Sequence, residues 1–200
     1  MSSPQFFETI PVKFQDVSTT PGIDTASFCQ ASEGLVKIFD VLGNAAFTPV
    51  KSDITGNIKK VQDRLAASPG SSATLQSLVQ NEGKPGDKNR TATQGLLWLI
   101  RGLKFNATAL RHSLSNPSDE LTVSFTKSYE STLKQYHSMF VRPVFALAMK
   151  ACPYRKDFYA KLGSPQDVVE KELDQWLSAL EKIIKEVEDF YAAGNWAKGF

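Results

Sequence analysis

The sequence predicts an all-α protein in one domain. Three observations predict it: apolar residues recur at a 3.6-residue spacing along nearly the whole chain, no stretch sustains period-two alternation, and no 20–50-residue repeat divides it. At 200 residues a single domain is expected over 1–200, with 1–20 read as a loosely ordered N-terminus. Folding a chain of this length hides roughly 70% of its surface, enough for a real core.

The elements follow in order. Residues 24–42 carry the stripe Phe28, Leu35, Ile38, Phe39, Leu42, with Asp24 or Thr25 as N-cap and Gly43-Asn44 as stop. Residues 50–65 place Val50, Ile54, Ile58, Val61 and Leu65 on one face, and Ser68-Pro-Gly-Ser-Ser breaks the chain after them. A shorter helix spans 73–81. From 91 to 114 the run Leu96-Leu-Trp-Leu-Ile100 is apolar all round, the mark of a helix buried on most sides. Asn116-Pro-Ser-Asp119 starts a long helix over 120–149, expected to bend at Pro143. A short helix near 154–162 and a long one over 166–191 complete seven or eight helices.

Composition narrows the function. Hydrophobic residues at 42% and charged residues at 22% exclude a disordered chain. A net charge of +2 leaves no footprint for nucleic acid. Two cysteines (Cys29, Cys152) and two histidines make neither a disulfide scaffold nor a good zinc set, so neither metal nor cofactor is expected. Met1 to Phe14 lacks a basic-then-apolar leader. The runs 96–100 and 144–149 fall far short of the ~20 residues that span a bilayer, so a cytoplasmic protein is expected. The sequons at Asn89 and Asn106 then read as chance matches.

Catalytic signatures are absent: no G-x-S-x-G elbow, no phosphate loop, no G-x-G-x-x-G and no H-E-x-x-H. An enzyme is therefore not expected. One spacing is informative. Asp53, Asn57 and Lys60 stand at i, i+4, i+7 and share a helix face, giving an acceptor, an amide and a cation in a row that suits sugar hydroxyls. The same spacing also fits a solvated amphipathic face. Trp98 fits either core packing or a flat platform for a sugar ring. His137 reads as a partly buried histidine, and His112 is given no role.

The segments Asp40 to Lys60 (DVLGNAAFTPVKSDITGNIKK), Thr93 to Phe105 (TQGLLWLIRGLKF), and Tyr136-His137 with Arg142-Pro-Val-Phe145 and Ala151 to Phe158 (ACPYRKDF) resemble the signature blocks of the glycolipid transfer protein family, closest to its fungal heterokaryon-incompatibility branch. The resemblance covers about 28–162. It implies a two-layer helical sandwich with an internal apolar tunnel, carrying one glycosphingolipid between membranes. It assigns Asp53, Asn57, Lys60 and Trp98 to the sugar headgroup, with Asp53 accepting from the ceramide amide and His137 donating to its carbonyl. It draws the chain lining from Phe39, Phe47, Ile54, Phe105, Val144, Phe145 and Ala148. Membrane docking falls on Tyr129, Met139, Phe140 and Tyr154; Met139 departs from the family's aromatic there and predicts weaker docking.

Magnitudes explain why such a carrier needs an interior. Exposing roughly 30 methylenes at ~0.8 kcal/mol each costs more than ~20 kcal/mol, which headgroup hydrogen bonds at ~1 kcal/mol net do not offset. The expected function is a non-enzymatic carrier of a neutral glycosphingolipid, monomeric and transiently membrane-bound. The alternatives are a glycolipid sensor, a ceramide-1-phosphate-type carrier, and a hydrolase using His137, for which no nucleophile presents itself. Trp98, and Ile100 in place of a basic neighbour to Arg101, favour neutral sugar over phosphate.

Overall fold

The computed structural model describes residues 5–200. Among them nine α-helices form: α1 (Thr25–Val36), α2 (Ile38–Leu42), α3 (Thr48–Ala67), α4 (Leu75–Glu82), α5 (Thr91–Ser115), α6 (Leu121–Ser131), α7 (Arg142–Lys150), α8 (Arg155–Leu162) and α9 (Gln166–Gly194). Only Lys37 separates α1 from α2, so the helix expected over 24–42 is one rod with a single interruption.

Local signals set the ends. The Asp24 carboxylate accepts from the Ser27 N–H at 2.8 Å and starts α1. Gly43, at φ 70°, ends α2 in the left-handed conformation that glycine adopts without strain. Pro49 lies in the first turn of α3, where a missing N–H is harmless. The Glu82 carboxylate accepts from the Ala92 and Thr93 N–H groups at 2.8 and 2.6 Å, placing negative charge at the N-terminus of α5.

Helix α5 is the central element and packs against α3, α4, α6 and α9. Its Leu96, Leu99, Leu103, Phe105 and Leu110 are fully buried, as the all-round apolar run requires. Gly95 lets α3 approach closely: a Cβ there would lie 2.9 Å from Lys60 Cβ and Cδ and 3.4 Å from the Asn57 carbonyl.

Two expectations are corrected. The long helix over 120–149 is divided: α6 ends at Ser131, a 3₁₀ turn covers Lys134–Tyr136, His137 is extended, and α7 restarts at Arg142. Pro143 does not bend a helix; it occupies the first turn of a new one, where its ring fits and no hydrogen bond is lost.

The second correction concerns the N-terminus. Residues 1–4 lie outside the described residues, but 6–17 are anchored rather than loose, with Phe6, Phe7, Ile10, Phe14 and Val17 buried, while 18–20 are exposed. Two 3₁₀ turns, Phe6–Thr9 and Phe14–Asp16, bury Phe6, Phe7 and Phe14. Phe7 and Phe14 meet the buried Trp176 of α9 at centroid distances of 5.8 and 5.2 Å. Burying two aromatic rings outweighs the irregular backbone.

The chain's other end is also tied down. Trp196 stacks on Phe190 at 5.9 Å, and the buried Arg90 donates to the Trp196 carbonyl at 2.8 Å and the Lys198 carbonyl at 2.6 Å.

Candidate functional site

Helix α3 supplies the first wall. Its 3.6-residue period lines up Asp53, Asn57 and Lys60 while Ile54, Ile58 and Val61 face the core. Asn57 is buried, and Lys60 Nζ donates to its Oδ1 at 3.0 Å. That bond orients the amide and leaves its NH₂ as the donating end, on the side of Asp53. Asp53 stands at the exposed rim. Partial withdrawal from water raises its carboxyl pKa above the ordinary 3.8, against the opposing pull of Lys60 and Asn57.

Helix α5 supplies the second wall through Gln94 and Trp98, one turn apart. The α6–α7 connection and α7 supply the third through Tyr136, His137, Ser138, Phe140, Val141, Val144 and Phe145. Together these residues and Pro49 enclose an open cleft of about 670 Å³. The break in the helix expected over 120–149 is thus what carries His137 to the cleft.

Trp98 is half-buried, with its ring near-parallel to that of His137 at 6.2 Å and edge-on to Tyr136 at 6.2 Å. The Arg101 guanidinium lies 3.7 Å over Tyr136 and 4.7 Å over Trp98, bracing both rings through their π faces. Arg101 opens onto a separate, smaller cleft behind Tyr136, lined also by Tyr191 and Asn195. Of the residues lining the larger cleft, Lys60 is the one cation.

From the cleft floor an aromatic file runs inward. Phe145 meets His137 at 4.4 Å and Phe105 at 6.3 Å; Phe105 meets Phe125 at 5.7 Å, Phe125 meets Phe47 at 6.4 Å, and Phe47 meets Phe39 at 5.9 Å. These rings fill the interior by touching one another, and Ile54 and Ala148 are buried with them.

The structure therefore brings the five sequence-selected residues Asp53, Asn57, Lys60, Trp98 and His137 to one cleft. It also places Phe39, Phe47, Ile54, Phe105, Phe145 and Ala148 in the interior. Two residues depart from expectation. Val144 faces the mouth of the cleft and is 40% exposed, because it sits on the solvent side of α7, one position before Phe145. Tyr129, expected at the membrane, is buried: it stacks on Phe145 at 5.2 Å, and its hydroxyl lies 3.2 Å from His137 Nδ1. The face of α6 that carries it is covered by α5 and α7. By contrast Met139, Phe140 and Tyr154 are 80%, 91% and 72% exposed.

Gln94, Tyr136, Ser138 and Phe125 were not singled out in the sequence. Gln94 was findable, since it precedes Trp98 by four residues and must share its face. Tyr136 and Ser138 flank a selected histidine but carry no pattern of their own. Both thiols, Cys29 and Cys152, are pushed up to about 12 by burial, which leaves them unreactive at neutral pH.

An all-helical fold with a polar row and an indole over an apolar interior defines a protein built to hold an amphiphile. The glycolipid transfer protein family profile matches residues 23–164, and the chain belongs to that family. It is 53% identical over 189 residues to a glycolipid transfer protein of Aureobasidium melanogenum, covering 94% of this chain and 93% of the relative. The crystal structure of HET-C2, a fungal glycolipid transfer protein, superposes with a TM-score of 0.89 at 46% identity, covering 94% of this chain and 96% of that one. The glycolipid-transfer fold of FAPP2, which selects simple glycosphingolipids, matches with a TM-score of 0.86 at 32% identity, covering 96% and 97%. Mouse ceramide-1-phosphate transfer protein shares the fold, with a TM-score of 0.81 at 23% identity.

Proposed function

We propose that the chain binds a neutral glycosphingolipid of the glucosyl- or galactosylceramide type and moves it between membranes without chemical change. The sugar stacks on Trp98; its hydroxyls are read by Asp53, Asn57 and Lys60. The ceramide amide is gripped from both sides, its N–H donating to Asp53 and its carbonyl accepting from His137. The two hydrocarbon chains enter by parting the aromatic file from Phe145 to Phe39, which becomes the tunnel wall. No covalent bond is made or broken in this cycle.

The single observation that carries the reading is the convergence of acceptor, amide, cation, indole and imidazole at one cleft whose floor opens onto that file. Fidelity follows from polar pairing: a sugar-free ceramide offers no acceptor to the NH₂ of the buried Asn57, whose Oδ1 is already held by Lys60, and leaving such a buried donor unmatched costs about 1–3 kcal/mol. A phosphate headgroup would bring its charge to a cleft with one lining cation. The chain acts as a monomer in the cytoplasm and touches bilayers transiently through Met139, Phe140 and Tyr154, the described bulky apolar side chains most exposed to solvent.

Vesicle-to-vesicle transfer of labelled galactosylceramide beside labelled ceramide-1-phosphate tests the reading. Fast movement of the sugar lipid alone is expected. Movement of the phosphate lipid alone would overturn the headgroup assignment, and tight binding with negligible transfer would make the protein a sensor.

A further inference from the structure

Tyr129 has no place in the headgroup contacts, yet its hydroxyl lies 3.2 Å from His137 Nδ1, and among the described residues it has no other hydrogen-bond partner. A phenol in that position either donates its one proton to Nδ1 or accepts a proton from Nδ1–H. Accepting would strand the phenolic O–H without an acceptor, because Tyr129 is buried against Phe145 and Phe105 and only 6% exposed. Donating satisfies that proton and leaves only oxygen lone pairs unpaired, the cheaper arrangement at a part-buried contact.

The imidazole is free to accept. Burial, and then the Arg142 cation beside it, hold the His137 pKa below the ordinary 6.5, so the ring is neutral at cytosolic pH. Burial also raises the Tyr129 pKa, which keeps the phenol protonated. The main chain at His137 is fixed separately: Arg142 Nε donates to its carbonyl at 3.1 Å. The ring is held between Phe145 at 4.4 Å and Trp98 at 6.2 Å. Backbone and ring plane are thus set by other groups, and the proton's position is the one degree of freedom left for Tyr129 to control.

We propose that Tyr129 is a positioning residue that donates to His137 Nδ1 and thereby fixes the imidazole proton on Nε2, so that the histidine meets an incoming lipid amide as a hydrogen-bond donor. Nε2 has no partner among the described residues, and the ring that carries it lines the cleft. The opposite tautomer would present a bare nitrogen lone pair to the carbonyl oxygen, two acceptors face to face. This device rests on the donor role given to His137 above and adds how that role is enforced.

The test is nitrogen NMR on the full chain labelled with ¹⁵N-histidine, for wild type and Tyr129→Phe, with His112 as the internal control. In wild type His137 should show an unprotonated, hydrogen-bonded Nδ1 and a protonated Nε2. Tyr129→Phe keeps the ring stack and should release that bias, while galactosylceramide transfer falls about five- to tenfold, the worth of one oriented hydrogen bond. An N-alkyl glucosylsphingosine, which has no amide carbonyl, should move equally with both proteins.

A wild-type His137 protonated on Nδ1 overturns the proposal, and so does a tautomer signature unchanged in Tyr129→Phe. Equal loss of transfer for both lipids would assign Tyr129 to packing and overturn it too. If the tautomer behaves as stated but His137→Ala transfers galactosylceramide normally, the lipid-contact role of His137 fails while the tyrosine's control of the tautomer stands.

Discussion

Asp53 is held at the cleft rim with its pKa above 3.8, so the fold prefers its protonated form more than the unfolded chain does. Stability therefore falls as pH rises from the unfolded value through the folded one, and the penalty is fully present at neutral pH. A ligand that donates to this carboxylate would offset that penalty. Asp53→Asn should melt slightly above wild type at pH 7 while losing about tenfold to hundredfold in galactosylceramide transfer, since a charge-assisted acceptor is replaced by a weaker one. The pH profile separates the two roles. Wild-type transfer should decline on the acid side as Asp53 protonates at a pH above 3.8, and the asparagine variant should lack that limb. An identical acid limb in both proteins would remove Asp53 from the site.

The contact between α3 and α5 sets the geometry of the polar row, and glycine makes that contact possible. A Cβ at Gly95 would press within 2.9 Å of Lys60 Cβ and Cδ, whereas one at Gly56, on the exposed side of α3, meets nothing within 4 Å. Gly95→Ala should therefore cost about 1–3 kcal/mol in urea denaturation and shift Lys60 and Asn57 out of register with Trp98. Gly56→Ala should stabilise by roughly 0.5–1 kcal/mol through helix propensity alone and leave transfer unchanged. If Gly95→Ala is as harmless as Gly56→Ala, the close approach does not hold the site together. The same scale shows what could be read in advance. Long, periodic helices such as α3, α5 and α9 were legible to within a few residues, because their apolar stripes and stops are local. The interruption between α6 and α7 was not, because Pro143 is compatible with both a kink and a first turn, and only packing chooses. Tyr129 was misplaced for the same reason: its position on α6 follows from the sequence, but its burial follows from α5 and α7, which no local pattern reports. The polar row was visible as a spacing, yet spacing alone could not tell it from a solvated face; its partners arrive from elements some 40 and 80 residues further along the chain.

At the scale of the whole molecule, the proposed carrier must meet a bilayer on the side where the cleft opens. Phe140 lines the cleft and is itself 91% exposed, with Met139, Leu147 and Tyr154 on the same stretch of chain. No helix of the described residues is long and apolar enough to cross a membrane. From Ser131 to Lys156 the sequence holds Lys134, Arg142, Lys150, Arg155 and Lys156 and no acidic residue, although the chain as a whole carries only +2. Apolar tips supply insertion at up to about 1.5–3 kcal/mol per fully buried side chain, and cations near an anionic surface add about 1 kcal/mol each at low salt. Partition onto vesicles should therefore rise when phosphatidylserine is included, and the increment should vanish as salt shortens the screening length towards ~3 Å at 1 M. Met139→Trp should raise partition onto neutral vesicles as well, because an indole gains from the interface where a thioether does not. Vesicle sedimentation of the two proteins at low and high salt separates these contributions. A salt-sensitive increment without any gain from tryptophan would mean that charge holds the protein at the surface and Met139 stays in water, while no gain from either change would move the docking face elsewhere on the molecule.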